Sequence, residues 1–395
     1  MKILVVQESN WTDRGPHQSH HIMERLVQRG HEVRIIDFDI LWRKNVNRTL
    51  FSRRSVITAQ PKAIPDAKIT VIRPSIIQLP ILEYLSLLYF HRKEIIHQLD
   101  EFKPEVVIGF GILNARIAMS LCRKRRITFA YYIIDELHRL VPQPYFQKLA
   151  RTIEQKNFQT ADIVLSINEM LREYTIEMGA PREKTHVIRA GVDLEIFKAE
   201  YREPMRKELG FANSDTVLFF MGWLYDFSGL KEVAIGLSKS SEKNIKLLIL
   251  GNGDLWDTLQ GIISKNSLEG QIIMKGWVPY QEVPKYIMAC DVCILPAYKN
   301  DIMMNIVPIK LYEYMAAGKP VIATNLEGLK KEFGENNGIL YIEDSTETID
   351  KVKSLTKEEK FDDVGLRGYN FVKNNNWNNI VNQFEAVIAG KIYEI

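Results

Sequence analysis

Short apolar runs alternate with segments of helical periodicity along the first half of the chain. Glycine, proline or charged residues bound most of these runs, which is typical of buried strands joined by helices. Strands separated by helices predict a parallel sheet with helices on both faces. The predicted strands are residues 2–6, 32–37, 105–109, 128–134, 163–167 and 186–188, and the predicted helices include residues 20–29 and a helix that runs through residue 123.

A second series of strands and helices begins after residue 195. Its predicted strands are residues 216–221, 246–250, 271–275, 292–296, 321–324 and 338–342. Because a single core rarely extends over 395 residues, we predict an α/β protein with two Rossmann-like domains, residues 1–195 and 196–376. Residues 377–395 are predicted to form a last amphipathic helix that packs back toward the first domain. Two such domains place a ligand in the cleft between them, at the carboxyl ends of the strands.

Charge is distributed unevenly between the two halves. Residues 1–190 hold 29 Lys and Arg against 20 Asp and Glu, whereas the rest of the chain holds 23 against 29. Basic clusters occur at residues 43–44, 53–54 and 123–126. Such clusters form a solvated face in most proteins, and in others they bind a polyanion or an anionic membrane. We predict no nucleic-acid partner, and a peripheral contact with an anionic membrane stays open.

No apolar run reaches the roughly 20 residues that a membrane-spanning helix requires. The nearest is Leu79–Phe90, which is shorter and contains Glu83. An exposed helix here would suit docking to a bilayer surface, and a buried one would be a core helix, which is the interpretation we favour. The first strand is too short for the apolar part of a signal peptide. We therefore expect a cytoplasmic protein, which any membrane contact would place at the inner face of the cell membrane.

Metal and redox chemistry find little support in the sequence. Three cysteines do not make a disulfide framework, and Cys290 and Cys293 lie in an apolar segment that predicts a buried strand. His17, His20 and His21 cluster near the first predicted helix. His17 and His21 lie one turn apart, but the sequence shows no third ligand that would complete a metal site with them. We predict no metal site.

The segment PIKLYEYMAAGKPVIAT, residues 308–324, combines a helix start, an embedded carboxylate and a strand. Pro308 favours the start of a helix, Gly318 ends it, and the residues after Pro320 predict a buried strand. A helix start attracts anions through its unpaired N–H groups, and Glu313 can accept hydrogen bonds from sugar hydroxyls. The segment therefore predicts a nucleotide or sugar-phosphate site, with an ordinary αβ unit and a solvated Glu313 as the alternative.

Several segments in a fixed order carry a resemblance to a known family. They are MKILVVQES with RGHEVRIIDFD, ADIVLSINEMLREYTIEMGAPREKTHVIRAGVDLEIF, GNGDLW, MKGWVPYQEVPKYIMACDVCILPAY and PIKLYEYMAAGKPVIAT. Together they resemble the GT-B glycosyltransferases, in particular the large retaining group called family 4, over almost the whole chain. The resemblance implies two Rossmann-like domains facing a central cleft, with the nucleotide-sugar as a substrate and with no metal or cofactor.

The resemblance implies cationic donor-binding residues in the second domain. In FMGWLYDFSGLKE, Gly222 follows a strand and Lys231 stands where the family's lysine is expected, but the family's preceding arginine is missing near Trp223. Lys310, just inside the helix that Pro308 opens, is a further candidate for meeting phosphate. For both lysines a solvated surface position is the alternative. The missing arginine implies that another cation substitutes or that the donor carries a single lipid-linked phosphate.

The resemblance also implies polar and backbone contacts to the donor. The family has two acids eight positions apart; Glu313 matches the second, which contacts ribose hydroxyls, and Asn305 replaces the first. An amide can hydrogen-bond a sugar hydroxyl but cannot act as a base, so Asn305 fits donor binding. The glycine loop with Gly251 and Gly253, and the loop around Val278 that faces the nucleotide base, complete the implied donor set.

The first domain supplies the implied acceptor side. Gly15 matches the family's glycine loop, which lets a backbone N–H approach the phosphate or sugar. Asp135 and His138 follow an aromatic strand in YYIIDELHRL and are the candidates for the catalytic, acceptor-positioning role. A helix cap is the competing role for Asp135.

The sequence thus predicts a metal-independent glycosyltransferase of the hexosyltransferase type (EC 2.4), with retention implied by the family alone. It would move a sugar from a nucleotide-sugar to a glycan, a lipid-linked or a small-molecule acceptor. One alternative is a nucleotide-sugar 2-epimerase, which would need further acids and histidines in the cleft. The other is a non-catalytic GT-B-like protein that binds nucleotide-sugar or polyanion, which Asn305 and the missing arginine keep open.

Overall fold

The computed structural model describes residues 1–12, 16–38, 49–141, 143–301 and 303–390. These residues form two compact units, each built around one main sheet. The first unit contains Met1–Arg189 and the chain from Trp377 onward, and the second contains Ala190–Asn376. The sequence places the domain boundary after residue 195, and this boundary stays a prediction.

The first unit contains ten strands and six helices in its described part. They are β1 (Lys2–Gln7), α1 (Gln18–Gln28), β2 (Glu32–Ile36), β3 (Phe51–Ser52), β4 (Ser55–Ala59), β5 (Ile69–Arg73), β6 (Ile76–Ile77), α2 (Leu82–Glu101), β7 (Val106–Phe110), α3 (Leu113–Arg125), β8 (Thr128–Ile133), α4 (Pro144–Thr160), β9 (Ile163–Ser166), α5 (Glu169–Glu177), β10 (Thr185–Val187) and, from the end of the chain, α14 (Trp377–Ile388).

The sheet of the first unit has the strand order β10-β9-β8-β7-β1-β2-β5-β4. All of its neighbouring strands are parallel except β4, which pairs antiparallel with β5. The central strands are unbroken runs of apolar residues because helices cover both faces; Ile3, Leu4 and Val5 of β1 are all fully buried. The direction of the strand order reverses between β1 and β7, which makes the carboxyl ends of these strands a topological switch point.

The predicted strands of the first half are present within a few residues of their predicted bounds. No strand is predicted between β2 and α2, yet the described residues of this region form β3 to β6. Two of these strands have two residues each, and β4 alternates half-buried and exposed positions at the edge of the sheet. Such short, half-buried segments carry too few apolar residues to stand out in a sequence.

Helix α14 packs against α1 and so belongs to the first unit. The ring of Trp377 stacks on His21 at a centroid distance of 4.3 Å, and the Arg25 guanidinium lies 5.0 Å from the same ring. Glu385 pairs with Arg29 at 3.0 Å. These contacts hold the last described helix on the helix that follows β1.

Helix α2 differs most from its prediction. The sequence predicts a buried core helix for Leu79–Phe90, and this prediction is wrong: Leu85 is 56% exposed and Tyr89 is 66% exposed. The polar residues Glu83 and His91 of the same helix are buried instead. Of the helices in the described part of the chain, none has the length and apolar content needed to cross a bilayer.

The second unit is a regular αβ layer structure. Its elements are α6 (Arg202–Leu209), β11 (Thr216–Met221), α7 (Leu230–Lys239), β12 (Ile245–Leu250), α8 (Trp256–Lys265), β13 (Ile272–Lys275), α9 (Val283–Ala289), β14 (Val292–Leu295), α10 (Ile309–Ala316), β15 (Val321–Thr324), α11 (Glu327–Phe333), β16 (Ile339–Ile342), α12 (Thr348–Lys357) and α13 (Phe361–Val372). The strand order is β13-β12-β11-β14-β15-β16, with every neighbour parallel. The sequence predicts each of these strands, within one residue of its bounds.

Candidate functional site

The carboxyl end of β11 lies where the strand order of the second unit reverses. The chain proceeds from β11 to β12 and β13 on one side and then continues with β14 on the other side. β11 pairs with β12 from Thr216 to Met221, but with β14 only at Leu218 and Phe219. Pairing with β14 therefore stops before β11 ends. The opening between these strand ends is where α/β sheets bind ligands.

Two side chains of α10 bond the backbone of Met221 at this opening. The N–H of Met221 donates to Tyr314 Oη at 3.0 Å. Lys310 Nζ donates to the carbonyl oxygen of Met221 at 2.6 Å and lies 4.5 Å from the centroid of the Phe220 ring. Burial lowers the pKa of Lys310 to about 8, although the nearby Glu313 acts to raise it. Helix α10 thus brings an amine that is mostly charged at neutral pH to the switch point.

Glycines allow the loops after β11 and β12 to approach Lys310 and each other. Gly222 has a φ of 128°, and a Cβ atom on it would lie 2.6 Å from Lys310 Nζ. Gly251 has a φ of 134°, and a Cβ atom on it would overlap the carbonyl oxygen of Gly222. Gly253 packs equally closely, since its Cβ would lie 2.5 Å from the nitrogen of Leu224. A Cβ at Gly251 or Gly253 would push the loops apart, and a Cβ at Gly222 would displace the amine of Lys310.

Glu313 lies one turn along α10 from Lys310, and Tyr280 holds its carboxylate. Tyr280 Oη donates to Glu313 Oε1 at 2.7 Å. Burial raises the pKa of Glu313, while the hydrogen bond from Tyr280 and the charge of Lys310 act to lower it. A carboxylate can accept several hydrogen bonds, so Glu313 keeps capacity for the hydroxyls of a ribose or hexose. The sequence did not reveal Tyr280, which lies 33 residues before its partner.

The loop that leads into α10 contains Asn305 and Pro308. Pro308 occupies the N-cap position with a φ of −66° and a ψ of 132°. The N–H of Gly328 donates to the Met304 carbonyl at 2.7 Å, and a Cβ on Gly328 would lie 3.0 Å from the carbonyl oxygen of Asn305. The start of α11 therefore fixes the backbone of Asn305, whose residue is half-buried.

Trp223, where the family has an arginine, does not approach Lys310. Its side chain is 41% exposed, and its Nε1 donates to Asp254 at 3.2 Å, in the loop before α8. The space beside Gly222 is taken by the amine of Lys310. The cation at this strand end therefore comes from α10 and not from the loop after β11.

Lys231 and Val278 lie on two other elements of the second unit. Lys231 is half-buried in the first turn of α7, and Val278 is half-buried in the loop after β13. Within the described residues, no ion pair joins Lys231 to Glu313. The structure thus brings Gly222, Gly251, Lys310 and Glu313 together and leaves Lys231 on a separate helix.

In the first unit, Asp135 lies just after the carboxyl end of β8. Burial, with a smaller effect of Glu136, raises the pKa of Asp135 to about 6. The short 3-10 helix Leu137–Leu140 has Glu136 as its N-cap residue, and no side chain caps it by a hydrogen bond. The structure therefore does not support the competing cap role of Asp135.

His138 is oriented by a buried carboxylate. Its Nδ1 lies 2.8 Å from Glu154 Oε2 and 3.1 Å from Tyr174 Oη, and Tyr174 Oη donates to the same glutamate oxygen at 3.0 Å. Glu154 is completely buried, and burial raises its pKa against the opposing effect of His138. With Nδ1 directed to Glu154, Nε2 is the nitrogen available to a ligand. Glu154 and Tyr174 gave no signal in the sequence.

Glu8 occupies the switch point of the first unit. Its N–H donates to the Phe110 carbonyl at 3.1 Å, and its Oε1 accepts from the N–H of Asn114 at 2.7 Å. A Cβ on Gly111, whose φ is 135°, would lie 2.9 Å from the Glu8 Cδ atom. The protein's own carboxylate therefore occupies the start of α3, and burial raises its pKa despite these backbone bonds. Gly15, the predicted glycine of this domain, lies outside the described residues.

A metal centre is not apparent in the described ranges. No group of three or more His, Cys, Asp or Glu side chains there is arranged to hold an ion. Cys290 and Cys293 are buried free thiols, and burial raises the pKa of both. These cysteines pack in the core of the second unit.

Two family models together match most of the chain. The model described as Glycosyltransferase Family 4 matches residues 18–196, and the model described as Glycosyl transferases group 1 matches residues 201–365. The chain also superposes on sucrose-phosphate synthase of Thermosynechococcus elongatus with a TM-score of 0.74 and 17% identity, over 98% of both chains. The chain belongs to the GT-B glycosyltransferases of the family 4 type.

Other solved structures and curated relatives agree with this family. Anabaena HepE, solved in complex with UDP, superposes with a TM-score of 0.73 and 16% identity over 99% of this chain and 100% of HepE. A Bacillus subtilis (strain 168) protein provisionally named teichuronic acid biosynthesis glycosyltransferase TuaH is 30% identical, over 47% of this chain and 46% of TuaH. The amylovoran biosynthesis glycosyltransferase AmsK of Erwinia amylovora is 27% identical, over 45% and 43%. The chain thus matches less than half the length of these two curated relatives.

Membership of the GT-B glycosyltransferases gives the geometry of the second unit a chemical context. Its switch point offers a cation, Lys310, and a held carboxylate, Glu313, at the carboxyl ends of parallel strands. Phosphate and sugar hydroxyls are the groups that these two side chains are suited to bind.

Proposed function

We propose that this protein transfers a sugar from a nucleotide-sugar to a glycan, a lipid-linked or a small-molecule acceptor, as a hexosyltransferase of class EC 2.4. The observation that carries the proposal is the pair of Lys310 and Glu313 at the switch point of the second unit. A donor contains a diphosphate and sugar hydroxyls. Lys310 offers a cation for the diphosphate, and Glu313 offers a carboxylate for the hydroxyls. Retention of the anomeric configuration and independence of metal are part of the proposal and follow family likeness.

Lys310 is the proposed cation for the donor phosphate. Among the described residues, Met221 alone offers Nζ a hydrogen-bond acceptor, so two of its three N–H groups remain for a phosphate oxygen or water. Negative charge develops on the leaving phosphate as the glycosidic bond breaks, and a fixed amine nearby stabilises that charge. Gly222, Gly251 and Gly253 would let the backbone approach the same phosphates.

Glu313 is the proposed hydroxyl-binding carboxylate, with Tyr280 as a residue that positions it. The hydrogen bond from Tyr280 fixes one oxygen at 2.7 Å and leaves the other for a hydroxyl of the donor. Asn305, Pro308 and Val278 are proposed donor contacts on the adjoining loops, and Lys231 is proposed only as a more distant phosphate contact.

Asp135 and His138 are the proposed acceptor-side residues. His138 is held through Nδ1 by the buried Glu154, so that Nε2 can accept a proton or a hydrogen bond from an acceptor hydroxyl. Asp135, with a pKa of about 6, is mostly ionised at neutral pH and suits a second hydrogen bond to that acceptor. We place the protein in the cytoplasm, with a peripheral contact to an anionic membrane.

A panel of UDP-, GDP- and ADP-sugars tests the donor proposal. A bound donor stabilises the folded state by mass action, so one nucleotide class should raise the melting temperature and be consumed in the presence of an acceptor. Retention is read from the anomeric configuration of the product by NMR, and metal independence from unchanged turnover in EDTA. If no sugar nucleotide binds or is consumed, the proposal is wrong.

A non-catalytic nucleotide-sugar-binding protein is the second candidate. Trp223 and Asn305, which stand in place of a cation and an acid of the family, favour it. This candidate predicts a donor-dependent rise in melting temperature without consumption of any donor. The same panel therefore separates the two functions.

A further inference from the structure

Helix α2 exposes several large apolar residues in its first half, although it buries polar residues along the same side as Leu87, Ile95 and Leu99. Its buried positions include the polar residues Glu83, Ser86, His91, Glu94 and Gln98. Its exposed positions include Leu82 (41%), Leu85 (56%), Leu88 (43%) and Tyr89 (66%). We call these four exposed residues the α2 face. Contiguous exposed apolar surface of this kind marks an interaction site in a soluble protein.

The inward orientation of the polar residues is stabilised by specific partners. Glu94 accepts two hydrogen bonds from Arg54, at 2.6 and 3.0 Å. Gln98 donates to Glu94 at 2.8 Å and accepts from Arg34 at 3.1 Å. Ser86 Oγ accepts from the N–H of Ile77 at 3.0 Å. Because these bonds fix the rotation of α2, the leucines cannot turn inward without breaking the network.

The exposed apolar surface continues beyond the helix. The ring of Phe51, in β3, lies 5.7 Å from Phe90, and Phe90 lies 5.1 Å from Tyr89. Phe51 is 45% exposed, and the preceding Leu50 is 71% exposed. The α2 face thus joins a second apolar strip on β3.

The exposed charges in the two described segments that carry this surface have one sign. In residues 49–60 and 79–94, the exposed charged residues are Arg53, Arg54, Arg92 and Lys93, and the two carboxylates, Glu83 and Glu94, are buried. Exposed leucines and a tyrosine flanked by arginine and lysine suit the boundary of an anionic bilayer, where apolar groups enter the acyl region and basic groups meet lipid phosphates.

We propose that the α2 face and the adjoining β3 residues dock the protein onto an anionic lipid bilayer. The inference names the surface for the membrane contact included in the proposed function, but it does not depend on transferase activity. A second copy of the chain is a poorer occupant, because a symmetric interface would bring the basic residues of both copies together.

The test is flotation of the full-length protein with vesicles of phosphatidylcholine, alone or mixed with phosphatidylglycerol. We expect binding to the mixed vesicles and at least about tenfold weaker binding to the neutral ones, given that each basic residue near an anionic surface favours binding by roughly fivefold. The double variant Leu85→Glu, Leu88→Glu should lose at least about tenfold in partitioning, since it removes apolar area and adds anionic charge.

Leu366→Glu is the matched control, because Leu366 is 58% exposed on α13 of the second unit. It should leave partitioning unchanged. The double variant Arg92→Gln, Lys93→Gln keeps the apolar residues and should lose roughly 25-fold on anionic vesicles alone; it decides the question if the leucine variant does not fold. The rise in melting temperature that a nucleotide-sugar causes, measured without vesicles, should be the same in all variants that fold. This measurement separates the membrane inference from the donor proposal.

Absence of wild-type binding to anionic vesicles would overturn the proposal, as would equal partitioning of the wild type and both double variants. If the protein does not bind vesicles but forms a concentration-dependent dimer that Leu85→Glu, Leu88→Glu abolishes, the surface is assigned to a second copy of the chain instead.

Discussion

Replacing Lys310 with methionine tests the donor site most directly, because it removes the amine and keeps most of the apolar stem. Two opposite effects should follow. The variant should bind nucleotide-sugar more weakly, because the phosphate loses a charged donor. It should not be less stable at neutral pH, because the folded protein holds that charge at a cost.

The stability effect can be worked from the pKa of Lys310. A fall from 10.5 to about 8 corresponds to about 3 kcal/mol against the charged amine in the folded state at neutral pH. We discount this to about 1–2 kcal/mol, because the residue keeps part of its surface in solvent. Loss of the hydrogen bond to the Met221 carbonyl costs about 1 kcal/mol in the other direction. The net change in the free energy of unfolding should therefore lie between zero and about 1 kcal/mol of added stability.

The pH dependence has a definite sign. Since the pKa of Lys310 is lower in the folded state, the unfolded chain binds more protons between pH 8 and 10.5, and the penalty on the wild type is relieved as the pH rises through this window. Nucleotide affinity should change the other way, falling above about pH 8 as the amine loses its charge. Glu313 faces this amine from the next turn of α10 and opposes its deprotonation.

The assay is titration calorimetry with the nucleotide-sugar that the donor panel identifies, at pH values from 6.5 to 9.5, together with urea unfolding. A hydrogen bond to a charged group contributes about 1.5–3 kcal/mol, so Lys310→Met should weaken donor binding roughly 10- to 150-fold at neutral pH and remove its pH dependence. The exposed Lys239→Met serves as the lysine control on α7, and Lys231→Met tests the position implied by family likeness. Unchanged affinity in Lys310→Met with a large loss in Lys231→Met would refute the assignment of Lys310 and restore the position implied by family likeness.

Three further predictions concern the same sites. Glu313→Gln should weaken donor binding about tenfold by calorimetry, and Tyr280→Phe should give a smaller loss, because the carboxylate remains but is no longer held. Asp135→Asn should raise the free energy of unfolding in urea by up to about 3 kcal/mol at pH 7.5, because the raised pKa disfavours the ionised form in the folded state; this gain should shrink as the pH falls from about 6 toward 4. Gly251→Ala should lower the free energy of unfolding by more than about 2 kcal/mol, since its Cβ meets the Gly222 carbonyl, whereas Gly261→Ala, in open space on α8, should be neutral or slightly stabilising.

Most strands and the family could be predicted because their signals are local. Each central strand is a continuous apolar run, and the segment around Glu313 carries its helix start, glycine and strand within 17 residues. The orientation of α2 could not be predicted in this way. Its leucines recur at a spacing that suits a buried helix. Its polar side turns inward because Arg34 in β2 and Arg54 between β3 and β4, both distant in sequence, bond to it.

The partners within the two sites could not be predicted for the same reason. Tyr280 meets Glu313 across 33 residues, and Lys310 reaches Met221 across 89. His138 and Glu154 come from different helical segments, joined only by the fold of the first unit. A sequence shows which residues can bond but not which of them the strand order brings together.

The position of Lys310 gives a physical reason for the departure at Trp223. A Cβ on Gly222 would lie 2.6 Å from the Lys310 amine, so this strand end has room for either a side chain or that amine. Trp223 turns away to Asp254, and the amine enters from α10, where it also completes the backbone bonding of Met221. An arginine directed to the same place would put two cations side by side in a partly buried site, at a considerable electrostatic cost. The missing arginine and the inward lysine are therefore two parts of one arrangement, in which the strand end carries a single cation supplied by the helix that also carries Glu313.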